Sequence, residues 1–362
     1  MSRINRTAQI LSIAATAALL GGCASATGAS PSGSSTPTPT PTPTPMVAAP
    51  LTGVEYPQGS NSFLAGPVVM GKIDNSSEAR PQLGLNSTDV VIDEMVEGGL
   101  TRFLAIWHSK MPVQFGPLRS VRPMDPDLAT GFGGIINYSG GQAPFVRAMQ
   151  ATGIYNGSET SEMGKKTMTR VTDRVAPHNL FVNAQVQQSQ HMNLGAPKPF
   201  LSFVTDPAQS SAATEGKPVI SVKAQFPAAT ALWNWKNGLW LRTQDGKPLT
   251  DAGDKQQISA VNVVVLRVAV DRSFKDPRYG FVPKTLLEGS GTGTVFSNGD
   301  ALKVTWTKTT QAGYVQLTDA SGNPVKLAAG NTWFELVPSD VGNVTITYPA
   351  APKPTPTPTP TK

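Results

Sequence analysis

The chain has 362 residues, 39% of them hydrophobic and 15% charged, with 30 Lys and Arg against 24 Asp and Glu. A single cysteine, Cys23, excludes internal disulfide frameworks and thiolate metal clusters. The three histidines, His108, His178 and His191, lack zinc-site spacing and are expected as packed or surface residues, so no cofactor is expected.

Arg3 and Arg6 precede an apolar, small-residue run from Ala8 to Leu20, followed by Gly21, Gly22 and Cys23. This is the pattern of a signal peptide over residues 1–22. Its apolar core is too short for a comfortable membrane span, which takes roughly 20 apolar residues. Leu-Gly-Gly-Cys has the form of a lipobox, so cleavage before Cys23 and lipidation of its thiol with diacylglycerol and palmitate are expected. Loss of Arg3 and Arg6 leaves 28 basic residues against 24 acidic ones, a formal charge of about +4. That excess suits anionic headgroups and wall polymers and is too small and dispersed for nucleic acid.

Residues 23–49 read as a stalk, Ser/Gly/Ala-rich to Ser35 and alternating Thr and Pro from Thr36 to Pro45. Proline favours an extended chain of about 3.1 Å per residue, so the tract is a semi-rigid spacer. A second Thr-Pro tract makes a tail over 350–362. Between them the texture changes once, at a Ser/Ala/Gly/Pro-containing segment, 205–218, expected as a linker. An α/β N-terminal domain is therefore expected over 50–204, followed by a mainly antiparallel β C-terminal domain over 219–349.

In the first half, Val68–Ile73 reads as a buried strand closed by Asp74-Asn75, and Thr101–Trp107 as another. Asp89, Asp93 and Glu97 recur every four residues and so share one side, with Val90, Ile92 and Val96 facing the core of a strand. Pro123–Phe132 and Pro144–Ala151 are expected as helices around a strand at Ile135–Tyr138. Ser139-Gly140-Gly141 and Gly98-Gly99 are expected as tight turns, with anion cradling as the alternative.

The second half offers alternating strands at Val219–Phe226, Ala231–Trp235 and Leu239–Arg242, the last two joined by Asn237-Gly238, a strong hairpin signal. Further strands follow at Val261–Val270, Gly293–Phe296, Ala301–Thr307, Tyr314–Thr318 and Thr332–Leu336. Trp233, Trp235 and Trp240 cluster on the hairpin. Core packing is the expectation there, with a sugar-stacking platform as the alternative, and Trp306 and Trp333 are expected within the sheet.

Several motifs together carry a family resemblance. They are Ile73-Asp74-Asn75, Glu78-Ala79-Arg80-Pro81-Gln82, Thr88-Asp89-Val90-Val91, Val96-Glu97-Gly98-Gly99, Thr101-Arg102 and Gly116-Pro117-Leu118-Arg119-Ser120-Val121-Arg122. Pro177-His178-Asn179-Leu180, Asn262-Val263-Val264-Val265 and Gly330-Asn331-Thr332-Trp333 complete the set. In these the chain resembles the YerB-like lipoproteins over nearly its whole ordered length. Asp93 and Phe181 depart from that pattern, where glutamate and tyrosine are expected. The resemblance implies the two-part architecture and leaves the molecular activity open.

The candidate anion site is Arg80, Arg102, Arg119 and Arg122, accompanied by Asp74. Guanidinium forks match phosphate and carboxylate bidentately, and several converging on one pocket make a binding site. The other reading pairs them with Asp89, Asp93 and Glu97 in a structural ion network, and one site can use both sets. From Val68 to Met149 the order of features is also loosely similar to the LytR-CpsA-Psr enzymes, which move phosphate-linked glycopolymers onto the wall. That similarity implies Asp74 as base or metal contact and Arg119 and Arg122 as stabilisers of a transferring phosphoryl group. The Arg-Asp pairing of those enzymes is absent. The expected function is thus a lipid-anchored binding module on the extracytoplasmic face of a bacterial membrane. Its ligand would be a phosphorylated glycopolymer, a lipid headgroup or an envelope protein. The alternative is a phosphotransferase or hydrolase acting on wall glycopolymers.

Overall fold

The computed structural model describes residues 44–277 and 280–350. The signal peptide, Cys23, the stalk up to Pro43 and the Thr-Pro tail from Ala351 lie outside the described residues. The strands that position the site are β1 (Val69–Asp74), β2 (Val90–Met95), β3 (Thr101–Trp107), β4 (Ile135–Tyr138), β5 (Tyr155–Ser158) and β6 (Leu180–Asn183) in the first half. The second half adds β7 (Ser221–Gln225), β8 (Thr230–Lys236), β9 (Leu239–Gln244), β10 (Asn262–Asp271), β11 (Gly289–Ser297), β12 (Asp300–Lys308), β13 (Thr332–Pro338) and β14 (Asn343–Thr347). Helices are short, the longest described being the eight-residue α2 (Ala143–Gln150), with α1 at Asp125–Ala129. The described chain is therefore mostly β.

One twelve-stranded sheet runs through both halves of the sequence, its main path starting at the edge strand Lys217–Pro218 and continuing in the order β12-β11-β10-β13-β2-β3-β1-β4-β5. The joint is β13, which pairs in parallel with β10 on one side and with β2 on the other. It is the parallel exception in an otherwise largely antiparallel second half. In the first half β1, β4 and β5 pair in parallel, with α2 between the last two. A second, six-stranded sheet contains β9-β8-β7-β14.

Both faces of the large sheet are covered, which is why β1, β2 and β3 are buried at every position. Strands buried on both faces read as continuous apolar runs instead of alternating ones. Val91, Phe103, Trp107, Val263 and Trp333 pack on one face with Trp233 and Trp240 of the second sheet. Met70, Ile92, Leu104, Ile106 and Leu336 pack on the other with α1, α2 and Phe200. Trp233 and Trp240 are fully buried and Trp306 and Trp333 nearly or fully so, as core packing predicts. The hairpin turn has Asn237 at φ +53° and Gly238 at φ +80°, the left-handed pair that matches strand twist.

Two boundaries differ from expectation. The segment 205–218 is ordered: a 3-10 turn, the helix Ser211–Glu215 and the strand Lys217–Pro218, with Ser210 and Ala212 buried. Ser210 caps that helix by accepting from Ala213 N, so a composition that reads as linker here serves as helix start. Residues 46–49, expected in the stalk, belong to the folded part, because Met46–Ala48 pairs with Glu55–Pro57 and Ala49 is buried. Among the described residues no helix is long and apolar enough to cross a membrane.

Candidate functional site

The site grows from the two-residue period of three adjacent strands. Met70, Lys72 and Asp74 of β1, Ile92 and Glu94 of β2, and Ile106, Leu104 and Arg102 of β3 share one face. Their side chains pass from apolar to ionic toward one end. Register brings the ionic ends together, since Arg102 pairs with Asp74 on one side and with Glu94 on the other. Beneath them Lys72, fully buried, forms ion pairs with Glu94 and, at 2.8 Å, with Asp125 at the start of α1. Burial, against the pull of Asp125, brings the Lys72 ammonium down to about 8.

Residues 117–122 supply the other wall. Gly116 has φ +154°, and a Cβ there would lie 2.9 Å from the Leu180 carbonyl of β6, so only glycine permits this approach. The chain then runs beside β1: Asp74 N donates to Pro117 O, Arg119 N to Lys72 O and Ser139 N to Arg119 O. This threading lays Arg119 against Asp74, its Nε 3.0 Å from Asp74 Oδ2. Three residues on, Arg122 Nε donates to Glu97 Oε2 at 2.7 Å. Gly141 and Gln142, at the start of α2, close the rim of a cleft of about 370 Å³ that Asp74, Ser76, Glu97, Arg102, Arg119, Ser120 and Arg122 line.

The cleft carries three guanidiniums against two carboxylates. Burial works to raise the Asp74 carboxyl, but the Ser76 N–H, the His178 contact and the charges of Arg119 and Arg102 outweigh it and hold it below the usual range. Burial likewise opposes Glu97, which the Arg122 hydrogen bond and charge hold down. Arg102 is different. It is 9% exposed, and its one hydrogen bond among the described residues runs from Nη1 to the Ser120 carbonyl, not to a carboxylate. Burial first, then the neighbouring Arg122 and Arg119, push its guanidinium down to about 9, against the opposing pull of Glu97 and Asp74.

Of the residues singled out in the sequence, Asp74, Glu97, Arg102, Arg119 and Arg122 come together here. Arg80 does not. It turns to the Asn75 backbone at 2.6 Å and to Asp245 at 2.8 Å. Asp93 points to the opposite face of the sheet, into an ion pair with Arg242. Asp89 lies at the far end of β2, where it accepts from the Ser109 N–H at 2.6 Å and from its hydroxyl. The four-residue spacing correctly places Asp89 and Asp93 on one side of a strand, but that side faces away from the cleft. The site residue missed is His178, whose Nδ1 lies 2.7 Å from Asp74 Oδ2. Its only sequence signal is the Pro177-His178-Asn179-Leu180 motif.

Asp89 has a structural role with a pH signature. Burial pushes its carboxyl up to about 6, although the Ser109 donors oppose this. A folded pKa above the unfolded one means stability present below about pH 4 and lost as pH rises through about 6. Relative to Asp89→Asn, the wild-type chain is expected to lose up to about 3 kcal/mol across that window. Urea unfolding at several pH values checks this, and parallel stability curves for the two proteins would contradict it.

With this geometry in hand, comparison with known proteins is informative. Residues 51–196 match the model described as protein of unknown function (DUF3048) N-terminal domain, and residues 220–334 match the corresponding C-terminal domain. The chain is 26% identical over 298 residues to the Bacillus subtilis (strain 168) protein named "Putative lipoprotein YerB", covering 80% of this chain and 86% of that one. It is also similar to the crystal structure of the YerB protein from Bacillus subtilis, with a TM-score of 0.69 and 22% identity, over 83% of this chain and 99% of that one.

Proposed function

The chain belongs to the DUF3048 family of proteins of unknown function, and from that premise we propose that it is a lipid-anchored binding module of the bacterial cell envelope. The lipobox at Cys23 and the relative named as a lipoprotein support the anchor, and in this reading the folded part stands on the extracytoplasmic face. The arginine cleft binds an anionic group of envelope material, whether a phosphorylated glycopolymer, a lipid headgroup or an acidic segment of a partner protein.

The observation that carries this reading is Arg102. Arg119 has Asp74 and Arg122 has Glu97, whereas Arg102 is buried in the cleft with no ion-pair partner among the described residues. A buried charge without a counter-charge is costly, and an incoming anion supplies one. A phosphotransferase or hydrolase would need a free base beside that anion. Asp74 is close enough, but its Oδ1 already accepts from Ser76 N and its Oδ2 from Arg119 and His178, so it serves better as a holder of Arg119.

Arg102→Ala is expected to weaken retention on purified anionic wall polymer or anionic vesicles by about tenfold to a hundredfold, on the scale of a lost charge-assisted contact. Arg80→Ala, outside the cleft, serves as the control and is expected to bind as wild type. Because Cys23 lipid would hold any variant on vesicles, all proteins in this comparison carry Cys23→Ala. Equal retention of Arg102→Ala and wild type would remove the cleft as the binding site.

A further inference from the structure

Resting on that reading of the cleft, we infer that its ligand is a phosphate ester whose alcohol part carries a free hydroxyl, a polyol phosphate, and that His178 is the residue that selects the hydroxyl.

The phosphate follows from the donors left over. Among the described residues Arg102 Nε and Nη2, both Nη atoms of Arg119, and Arg122 Nη2 have no hydrogen-bond acceptor. They belong to guanidiniums held by separate pieces of chain: the start of β3, the run beside β1, and the turn before α1. A carboxylate presents two oxygens in one plane, whereas the oxygens around a phosphorus are tetrahedral, so guanidiniums approaching from different directions can meet them. The cleft, at about 370 Å³, lies within the roughly 300–1,000 Å³ range of small-molecule sites, so it has room for more than the phosphate.

The hydroxyl follows from His178. The guanidiniums only donate, and donors alone do not read the alcohol part of an ester. His178 Nδ1 lies 2.7 Å from Asp74 Oδ2 and 3.3 Å from Ser76 Oγ. A carboxylate oxygen only accepts, so Nδ1 carries a proton, and an imidazole with that one proton has its lone pair on Nε2. That nitrogen has no partner among the described residues, and the side chain is 17% exposed. Asp74 Oδ2 is shared, taking Arg119 Nε at 3.0 Å and the imidazole at 2.7 Å, so the acceptor is tied one hydrogen bond away from the phosphate-binding arginine. Guanidinium donors with an oriented acceptor tied beside them through Asp74 complement a phosphate with a neighbouring hydroxyl.

The test titrates the full chain carrying Cys23→Ala with glycerol phosphate and, separately, with ethyl phosphate, which lacks the hydroxyls, by calorimetry at pH 8. Wild-type His178 is expected to prefer glycerol phosphate by about tenfold, the scale of one net hydrogen bond. His178→Leu is expected to lose that preference while keeping ethyl phosphate affinity, and His178→Gln, whose amide oxygen can accept, to regain part of it. Equal affinity of the wild-type site for the two esters, or a preference that survives in His178→Leu, would overturn the inference and leave the anion cleft standing. Failure of the cleft itself looks different: neither ester binds, or Arg102→Ala binds both as well as wild type. Sedimentation with vesicles of phosphatidylglycerol in phosphatidylcholine then identifies the source. Pelleting assigns the polyol phosphate to a lipid headgroup, and its absence alongside glycerol phosphate binding assigns it to a wall polymer; both support the inference.

Discussion

Arg242→Ala is expected to destabilise the fold by about 3–5 kcal/mol, the usual cost of leaving buried charges unpaired. Arg242 of β9 is fully buried and reaches from the second sheet into the first. Its Nη2 lies 2.6 Å from Asp93 of β2, and its Nη1 pairs with Glu335 of β13. Those two carboxylates are brought side by side by the parallel register of β13 on β2, in which Glu335 pairs with Asp93. Trp233 Nε1 also donates to Glu335, and the rings of Phe103, Trp233 and Trp333 surround the guanidinium with centroids at 4.8–5.2 Å. Burial, and next the adjacent Glu335, raise the Asp93 carboxyl well above its usual range. Removing the one cation therefore leaves two acids facing each other at the joint between the halves.

The triple replacement Arg242→Met, Asp93→Leu and Glu335→Leu is expected to recover most of that loss. A buried ion cluster replaced as a whole by apolar side chains is commonly neutral or stabilising by about 1–4 kcal/mol. Urea unfolding monitored by tryptophan fluorescence measures both proteins. A loss under about 1 kcal/mol for the single variant would show that Arg242 does not hold the joint.

Trp333→Ala is expected to cost a similar amount, about 3–5 kcal/mol, for a different reason. Trp333 lies on β13 between the two sheets, fully buried, edge-on to Phe103 at 5.3 Å and to Trp233 at 5.2 Å. Truncation leaves a cavity walled by strands that hydrogen bonding holds on both sides, so the gap cannot collapse. Trp333→Phe retains most of the ring volume and also removes an indole N–H that has no acceptor, so it is expected to be much milder. Because Trp333 touches Arg242, the two alanine substitutions are expected to be non-additive, which a double-mutant cycle would read directly. Equal stability of Trp333→Ala and Trp333→Phe would refute the cavity argument.

Much of the secondary structure was legible locally. Val68–Ile73, Thr101–Trp107 and Ile135–Tyr138 fall on β1, β3 and β4, and Asn237-Gly238 forms the predicted turn, because short-range sterics and apolar runs decide such elements. The site was legible in part. Arg119 and Arg122 are neighbours in sequence around one turn, and Asp74 and Arg102 end two strands of similar character. Asp93 and Arg80 could not be placed the same way, since Asp93 finds Arg242 149 residues away and Arg80 finds Asp245 on the hairpin of the second half. Lys72, Glu94 and Asp125 gave no warning of their ion cluster, because a charged residue inside an apolar strand does not reveal which strand will lie beside it.

By itself, then, the sequence determined the lipobox, the Thr-Pro tracts, the strand-forming runs and the family, all of which are properties of contiguous residues. Only the tertiary structure decided that β13 would enter the sheet between β10 and β2, carrying one continuous sheet across the two halves. The same packing decided which arginine lacks a carboxylate. Arg80, Arg102, Arg119 and Arg122 are alike as residues, and each one's role depends on the acid that strand register and chain threading lay beside it. For Arg102 that neighbour is the open cleft.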